Sequence, residues 1–162
     1  MRCIVFSLAF SLSLVSTSTF AENSMSKVLE GFDTNPCYNT LVTAADETIK
    51  QNQHRLMATY QEAGKMPHFV SGVIEYKDRL SQVMFAASGS NNACKVVVKE
   101  AFTVKLPCIT VRQEVFKRWQ FKGKLNNHTM VVQHMRKPNQ KAIMSDASDG
   151  TYCLVTRLNE FK

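Results

Sequence analysis

One segment of the sequence carries residue types that suit a binding surface. The stretch Glu114–Lys124, EVFKRWQFKGK, contains four cations, the only tryptophan of the chain and two phenylalanines. If it forms a strand, alternation turns Val115, Trp119 and Phe121 toward the core and the residues between them toward solvent. An outward aromatic among cations is typical of interface hot spots. We therefore predict a binding surface made of Arg112, Phe116, Arg118, Lys122 and Lys124; the alternative is a solvated sheet face with one incidental aromatic.

A second segment, HTMVVQHM, contains potential metal ligands. His128, Met130 and His134 have the same parity, so a strand would place them on one face. Imidazole and thioether groups together suit copper. The alternative is that Met130 is a core residue and the two histidines lie at the ends of the strand. We expect no cofactor and keep these three residues only as candidate copper ligands.

Catalytic signatures are missing from the sequence. It contains no GxSxG, HExxH, P-loop or dinucleotide-binding glycine pattern. The acid pair Asp46–Glu47 fits the polar face of a helix, and Asp146 with Asp149 brackets the turn SDASDG. We therefore predict that the protein is not an enzyme. An active site whose residues meet only in space stays open as an alternative.

The N-terminus has the pattern of a secretory signal. In MRCIVFSLAFSLSLVSTSTFA, one arginine precedes an apolar run, and Thr19-Phe20-Ala21 places small residues at the −3 and −1 positions of a cleavage site. The run is too short to span a bilayer, and no later segment reaches the length of a membrane helix. We predict a signal peptide over residues 1–21, a single domain over 22–162, and a periplasmic or secreted protein.

Four cysteines remain after the signal: Cys37, Cys94, Cys108 and Cys153. An even number in an exported chain indicates two disulfides. No CxxC, CxxCH or close Cys/His cluster favours redox, haem or zinc chemistry. If the first two elements form a helical hairpin, Cys37 lies at its open end with Cys94, which predicts the pairs Cys37–Cys94 and Cys108–Cys153.

Positive charge is concentrated in one part of the chain. The whole sequence carries 20 Lys+Arg and 13 Asp+Glu, one of the cations being Arg2 in the signal. Residues 95–124 hold eight basic and two acidic residues, so the net charge of this segment equals the net charge of the mature chain. Such a segment indicates an acidic partner. Because the chain is exported, nucleic acid is an improbable partner, and an acidic protein or an anionic envelope component fits better.

Hydrophobic periodicity predicts two helices followed by a sheet. A proline after Thr34-Asn35 is a helix-start signal, and apolar residues from Tyr38 to Ala63 fall on one face, which predicts a helix over about 36–63. A similar arc predicts a second helix over about 67–88, antiparallel to the first. The segment 94–121 fits either period, and its β-branched runs favour strands. HTMVVQHMR, KAIMSDA and TYCLVTRL, separated by turn signals, predict an antiparallel meander.

These elements predict an α+β fold: an N-terminal antiparallel helical hairpin packed on a C-terminal antiparallel β-meander of about 95–158, with two disulfides and no internal repeat. The function that fits best is an exported protein-binding module. It would be an inhibitor, immunity or adaptor protein that binds an envelope-targeted partner through the basic sheet face. A periplasmic small-ligand carrier and a copper-binding protein are the alternatives.

Overall fold

The computed structural model describes residues 24–32, 34–60, 67, 69–90 and 93–162. The predicted signal peptide, residues 1–21, lies outside these ranges. The helices are α1 (Ser24–Val28), α2 (Tyr38–Ile49) and α3 (Cys108–Glu114), and the strands are β1 (Gln53–Tyr60), β2 (Phe69–Glu75), β3 (Leu80–Ser90), β4 (Ala93–Val104), β5 (Trp119–Asn126), β6 (Thr129–His134), β7 (Gln140–Asp146) and β8 (Cys153–Phe161). The strands form one sheet in the order β1-β2-β3-β4-β8-β7-β6-β5, and every neighbouring pair is antiparallel.

The chain repeats one arrangement of elements. A helix followed by a four-stranded meander occurs first as α2-β1-β2-β3-β4 and then as α3-β5-β6-β7-β8. In each half a disulfide joins the start of the helix to the start of the last strand, Cys37 to Cys94 and Cys108 to Cys153. Each helix cysteine follows a proline. The expectation of no internal repeat is therefore wrong at the level of structure.

The two halves meet where β4 pairs with β8, the last strand of each half. Cys153 follows Cys94 by 59 residues, and Leu158 follows Lys99 by the same number. Lys99 and Leu158 are cross-strand partners near the middle of the ladder. Equivalent residues thus pair with each other at one point, which relates the halves by an approximate two-fold axis through the sheet at that pair.

Both halves bury their apolar residues on the same face of the sheet. The first core packs α1 and α2 against buried side chains such as Val70, Phe85 and Val98. The second packs α3 against side chains such as Phe102 and Val155, which face each other across β4 and β8. Val98 and Phe102 have the same parity on β4, so both cores lie on one face. The centre of that face lies between the two cores.

The prediction of a helix over 36–63 is correct only for its first part. Helix α2 ends at Ile49 because Lys50 adopts φ 56°, and the Asn52 side chain donates a hydrogen bond to the Ile49 carbonyl at 2.8 Å. Residues 53–60 then form β1, in which the exposed and half-buried side chains alternate from Gln53 to Ala58. Asparagine ends the helix here with a side-chain hydrogen bond, and no glycine marks the stop in the sequence.

The prediction of a second helix over 67–88 is wrong. The segment forms β2 and β3, joined by a turn in which the Tyr76 amide donates to the Arg79 carbonyl at 2.9 Å. Val70 and Ile74 are buried on either side of Gly72, which is the alternation of a strand. A side chain at Gly72 would meet the Arg55 carbonyl oxygen at 2.2 Å, so close strand pairing needs glycine there. The helical hairpin packed on a meander is therefore corrected to an eight-stranded antiparallel sheet with short helices on one face.

The ambiguous segment 94–121 contains strand β4, helix α3 and the start of β5. The three C-terminal strands of the predicted meander are present as β6, β7 and β8. They pair in sequence order, and β8 continues the sheet by pairing with β4. The sequence therefore located these strands and favoured the strand β4, but it missed β1, β2, β3 and the helix α3.

The disulfides pair as predicted, Cys37–Cys94 and Cys108–Cys153. The reason given for the pairing is wrong, because Cys94 lies at the start of a strand beside β3 and not beyond a helical hairpin. Two disulfides fit an oxidising environment. In the described ranges, none of the helices has the length and apolar character needed to cross a membrane.

Candidate functional site

A cleft lies between the two cores, on the face of the sheet that carries the helices. Its cavity is about 510 Å³, a size typical of small-molecule sites. Both halves of the chain contribute to it: its lining residues are Glu47, Thr48, Lys50, Tyr76, Arg79, Val98, Glu100, Trp119, Lys137, Gln140, Arg157, Leu158 and Asn159. The cleft therefore lies at the junction of the repeated units.

Glu100 is the central acidic group of the cleft. It lies on β4 opposite Arg157 of β8, and the residue is only 5% exposed. Its Oε2 lies 3.5 Å from Nη1 of Arg157, while Oε1 is buried and has no hydrogen-bond partner among the described residues. A buried acceptor without a donor costs about 1–3 kcal/mol. Such a group in a cavity indicates a place where a ligand can supply the donor.

Arg79 enters the same cleft from the β2–β3 turn. Its guanidinium lies 4.4 Å from the ring centre of Tyr76 and 4.5 Å from that of Phe102. Nη1 donates to both carboxylate oxygens of Asp78, at 3.0 and 2.9 Å. Its Nε is buried and, within the described part of the chain, donates to no acceptor. The aromatic contacts and the Asp78 bonds hold the guanidinium plane in place and leave one donor available.

Tyr76 connects the cleft to α2. Burial raises the pKa of its phenol to about 12, and the neighbouring Glu100 carboxylate acts in the same direction, through its negative charge and through a side-chain hydrogen bond with the phenol. The protonated hydroxyl donates to the Thr48 carbonyl near the end of α2, at 3.4 Å. At neutral pH Tyr76 is therefore a hydrogen-bond donor and an aromatic surface, and it is unsuited to act as a base.

A second, more apolar cavity adjoins the first. It measures about 790 Å³ and shares Arg79, Trp119 and Arg157 with the first cavity. Its apolar lining residues are Leu80, Phe102, Val104, Val115, Phe116 and Trp119. We call the first cavity the polar lobe and the second the apolar lobe. Trp119, which packs edge-on against Phe116 at 5.0 Å, stands between them with the two arginines.

The residues of the predicted basic surface are distributed differently from the expectation. Phe116, expected to face solvent, is 3% exposed and belongs to the second core, because α3 breaks the assumed strand and resets its alternation. Arg118, Lys122 and Lys124 are exposed. Arg112 lies on α3, and its guanidinium contacts the ring of Phe121, 5.4 Å from the ring centre. The exposed aromatic of the basic surface is therefore Phe121, at 42% exposure, and Phe116 does not contribute to that surface.

The candidate copper ligands do not come together. His128 precedes β6 and His134 ends it, so they are roughly 20 Å apart along the strand. Met130 lies between them and packs against the second core. Nδ1 of His134 accepts the amides of Arg136 and Lys137, both at 3.1 Å. Among the described residues, no group of three histidines, cysteines or acids could hold a metal ion.

A serine–histidine contact occurs outside the cleft. Nε2 of His54 lies 2.5 Å from the Ser24 hydroxyl, and Nδ1 lies 2.8 Å from the Asn52 carbonyl oxygen. These partners assign the proton to Nδ1 and make Nε2 the acceptor. The contact ties α1 to β1, and the third member is a backbone carbonyl and not a carboxylate. We therefore assign it a structural role.

The site residues missed by sequence reasoning are Tyr76, Arg79, Glu100 and Arg157. One signal for them exists: Glu100 interrupts the apolar even positions of β4, where Val96, Val98 and Phe102 are buried. An acid on the inward face of a strand indicates a functional group or a buried ion pair.

Comparison with protein-family models, curated proteins and solved structures gives no match. The functional proposal below therefore rests on the geometry of the cleft.

Proposed function

We propose that the protein is a periplasmic or secreted binding protein that holds a small polar ligand in the cleft between its two halves. The observation that carries the proposal is Glu100, a buried acid that lines the cavity and whose Oε1 has no hydrogen-bond donor among the described residues. A buried group that lowers the stability of the folded protein is typical of a functional site, because the protein would be more stable with an apolar side chain at that position. The predicted signal peptide and the two disulfides support the compartment.

Binding without catalysis fits the chemistry of the lining groups. They offer a carboxylate acceptor, guanidinium donors, a protonated phenol and aromatic surface. Within the described residues, no serine, cysteine or histidine lines either lobe. Nucleophilic catalysis needs an activated nucleophile with a base beside it. The arrangement therefore supports recognition of a ligand.

The test is native mass spectrometry of the mature protein with a panel of amino acids, short peptides, carboxylic acids, sugars and amines at millimolar concentration. We expect at least one member to bind wild type and to bind Glu100→Gln at least tenfold more weakly. Glu47→Gln is the matched control, because Glu47 lines the same lobe but is exposed. Retained binding in Glu100→Gln, or no binding of any panel member to wild type, would overturn the proposal.

A second function, capture of an acidic protein or an anionic envelope component, is supported by the contact of Arg112 with the exposed Phe121. Arg118, Lys122 and Lys124 surround this pair with exposed cations, as an inhibitor, immunity or adaptor protein would require. β5 is also an edge strand, and lysines and bulges on an edge prevent strand pairing with other chains.

A pull-down from the native envelope fraction distinguishes the two explanations of the basic edge. Charge reversal at Lys122 and Lys124 should remove the captured partner if the edge binds it. Lys99→Glu with Lys141→Glu is the control, since both lysines are exposed on the opposite face of the sheet. Equal capture by both double variants would leave edge protection as the role of the β5 cations.

A further inference from the structure

We infer that the ligand of the cleft is a zwitterion with an apolar side chain, an apolar α-amino acid or a short apolar peptide; this inference rests on the proposed function. Two residues that line the same cleft carry opposite polar groups without partners. Glu100 offers a buried acceptor, and Arg79 offers a buried Nε donor, each without a partner among the described residues. An ammonium group satisfies the first and a carboxylate the second.

Ligands with only one kind of charge fit less well. A simple anion would meet the carboxylate of Glu100, which is 5% exposed and so is little screened by water. A simple amine would enter a cavity whose two lobes carry five lysines and arginines and three acids among their described lining residues. The excess of cations disfavours a net positive ligand. A molecule with both charges avoids both conflicts.

In this region of the cleft, positions that the two-fold axis relates carry different residues, so the cleft itself is asymmetric. The offset of 59 residues that relates Cys94 to Cys153 also relates Val98 to Arg157 and Glu100 to Asn159, and all four residues line the polar lobe. Equivalent positions of the two halves therefore carry different chemistry: the acid of one half corresponds to an amide in the other, and the guanidinium corresponds to a valine. A ligand with two unlike ends matches such a site, whereas a symmetric ligand does not.

The apolar lobe provides the place for the ligand's side chain. Phe102, Val104, Phe116 and Trp119 line it directly beside Arg79 and Arg157. A charged group held by the arginines would therefore lie at the boundary of an apolar surface. The two lobes measure about 510 and 790 Å³, more than a single amino acid fills, so we expect a dipeptide to bind more tightly than a free amino acid.

Isothermal titration of the mature protein tests the class with four probes: L-phenylalanine, L-leucyl-L-phenylalanine, its N-acetyl derivative and its C-terminal amide. The dipeptide should bind at least tenfold more tightly than either blocked derivative. Glu100→Gln should weaken the dipeptide at least tenfold and the N-acetyl derivative less than twofold, since the latter has no ammonium. Arg79→Gln should weaken the dipeptide and leave the amide, which has no carboxylate, unchanged. Glu30→Gln, at an exposed acid that lines neither lobe, should leave all four affinities within twofold.

The outcomes separate this inference from the proposed function. Equal binding of the dipeptide and its N-acetyl derivative would overturn recognition of the ammonium group. Binding of a sugar or a simple acid from the panel, with none of the four probes binding at 1 mM, would overturn the ligand class and leave the proposed function standing. No binding by any panel member would overturn both. Circular dichroism and melting of each variant establish that a lost affinity is not lost folding.

Discussion

Replacing Glu100 by leucine should stabilise the free protein, because the substitution removes a buried oxygen that has no hydrogen-bond donor among the described residues. Oε1 is a buried acceptor without a donor among the described residues, which costs about 1–3 kcal/mol. The compensating pair with Arg157 is long, 3.5 Å, and the arginine side chain is 40% exposed. Such a half-exposed pair contributes about 1 kcal/mol or less.

The expected change in the free energy of unfolding is the cost of the unpaired oxygen minus the contribution of the Glu100–Arg157 pair. Leucine has a similar volume and removes the unpaired oxygen, while Arg157 keeps access to water. We expect the free energy of unfolding to rise by about 1–2 kcal/mol. For a domain of this size that corresponds to roughly 2–8 °C in melting temperature. Glu100→Gln keeps an unpaired buried oxygen and should change the stability little.

Urea unfolding without added ligand measures this effect, with the midpoint compared at constant m-value. Glu47→Leu is the control, since exposed Glu47 lines the same lobe and its replacement should stay within about 0.5 kcal/mol. A loss of stability above about 1 kcal/mol in Glu100→Leu would refute the reasoning. It would show that the carboxylate is a structural anchor, and the case for a ligand would lose its main support.

Three further predictions test the fold. Removing the bridge with Cys108→Ser and Cys153→Ser should cost about 4 kcal/mol in urea unfolding, because it closes a loop of 45 residues; a cost near zero would contradict the pairing. Gly72→Ala should cost about 1–3 kcal/mol, since its Cβ would meet a β1 carbonyl oxygen at 2.2 Å; unchanged stability would contradict the β1–β2 register. The raised pKa of Tyr76, about 12, means that the folded state keeps a proton which the unfolded state loses near pH 10, so stability falls between pH 10 and 12. Tyr76→Phe should flatten that fall in alkaline urea titrations, and an identical pH dependence in wild type and Tyr76→Phe would contradict the burial of the phenol.

The sequence predicted the C-terminal strands and the disulfides but misassigned residues 53–60 and 69–88, and the reason is local. In this part of the chain, valines and aromatic residues that face either side of a sheet also fall on one arc of a helical wheel. Val70 and Ile74 point to the core, while Phe69 and Val73 are exposed on the uncovered face. Only the pairing with β1 and β3 separates the two sets. Apolar residues on both faces of a strand thus imitate a helical period.

The repeat escaped detection because equivalent positions differ in size. Pairing through the sheet relates Phe85 of β3 to Ala142 of β7, and both are fully buried. The matching positions on β2 and β6 are Val70 and Val132, also fully buried. Burial is thus shared at both pairs, whereas side-chain volume is shared at the valines and differs between Phe85 and Ala142. A comparison of residue types sees little likeness, although the backbone arrangement is the same.

The cleft follows from the unequal helices of the two halves. α2 has 12 residues and α3 has seven, although both begin at the disulfide of their half. At 1.5 Å per residue the shorter helix covers about 7 Å less of the sheet. The apolar lobe opens on that side, beside Phe116 and Val115, directly after the end of α3. On the other side the end of α2 reaches the cleft, where Thr48 accepts the Tyr76 hydroxyl. The difference in helix length thus accompanies the difference between the polar and the apolar lobe, and Arg157, the partner of Glu100, lines both lobes.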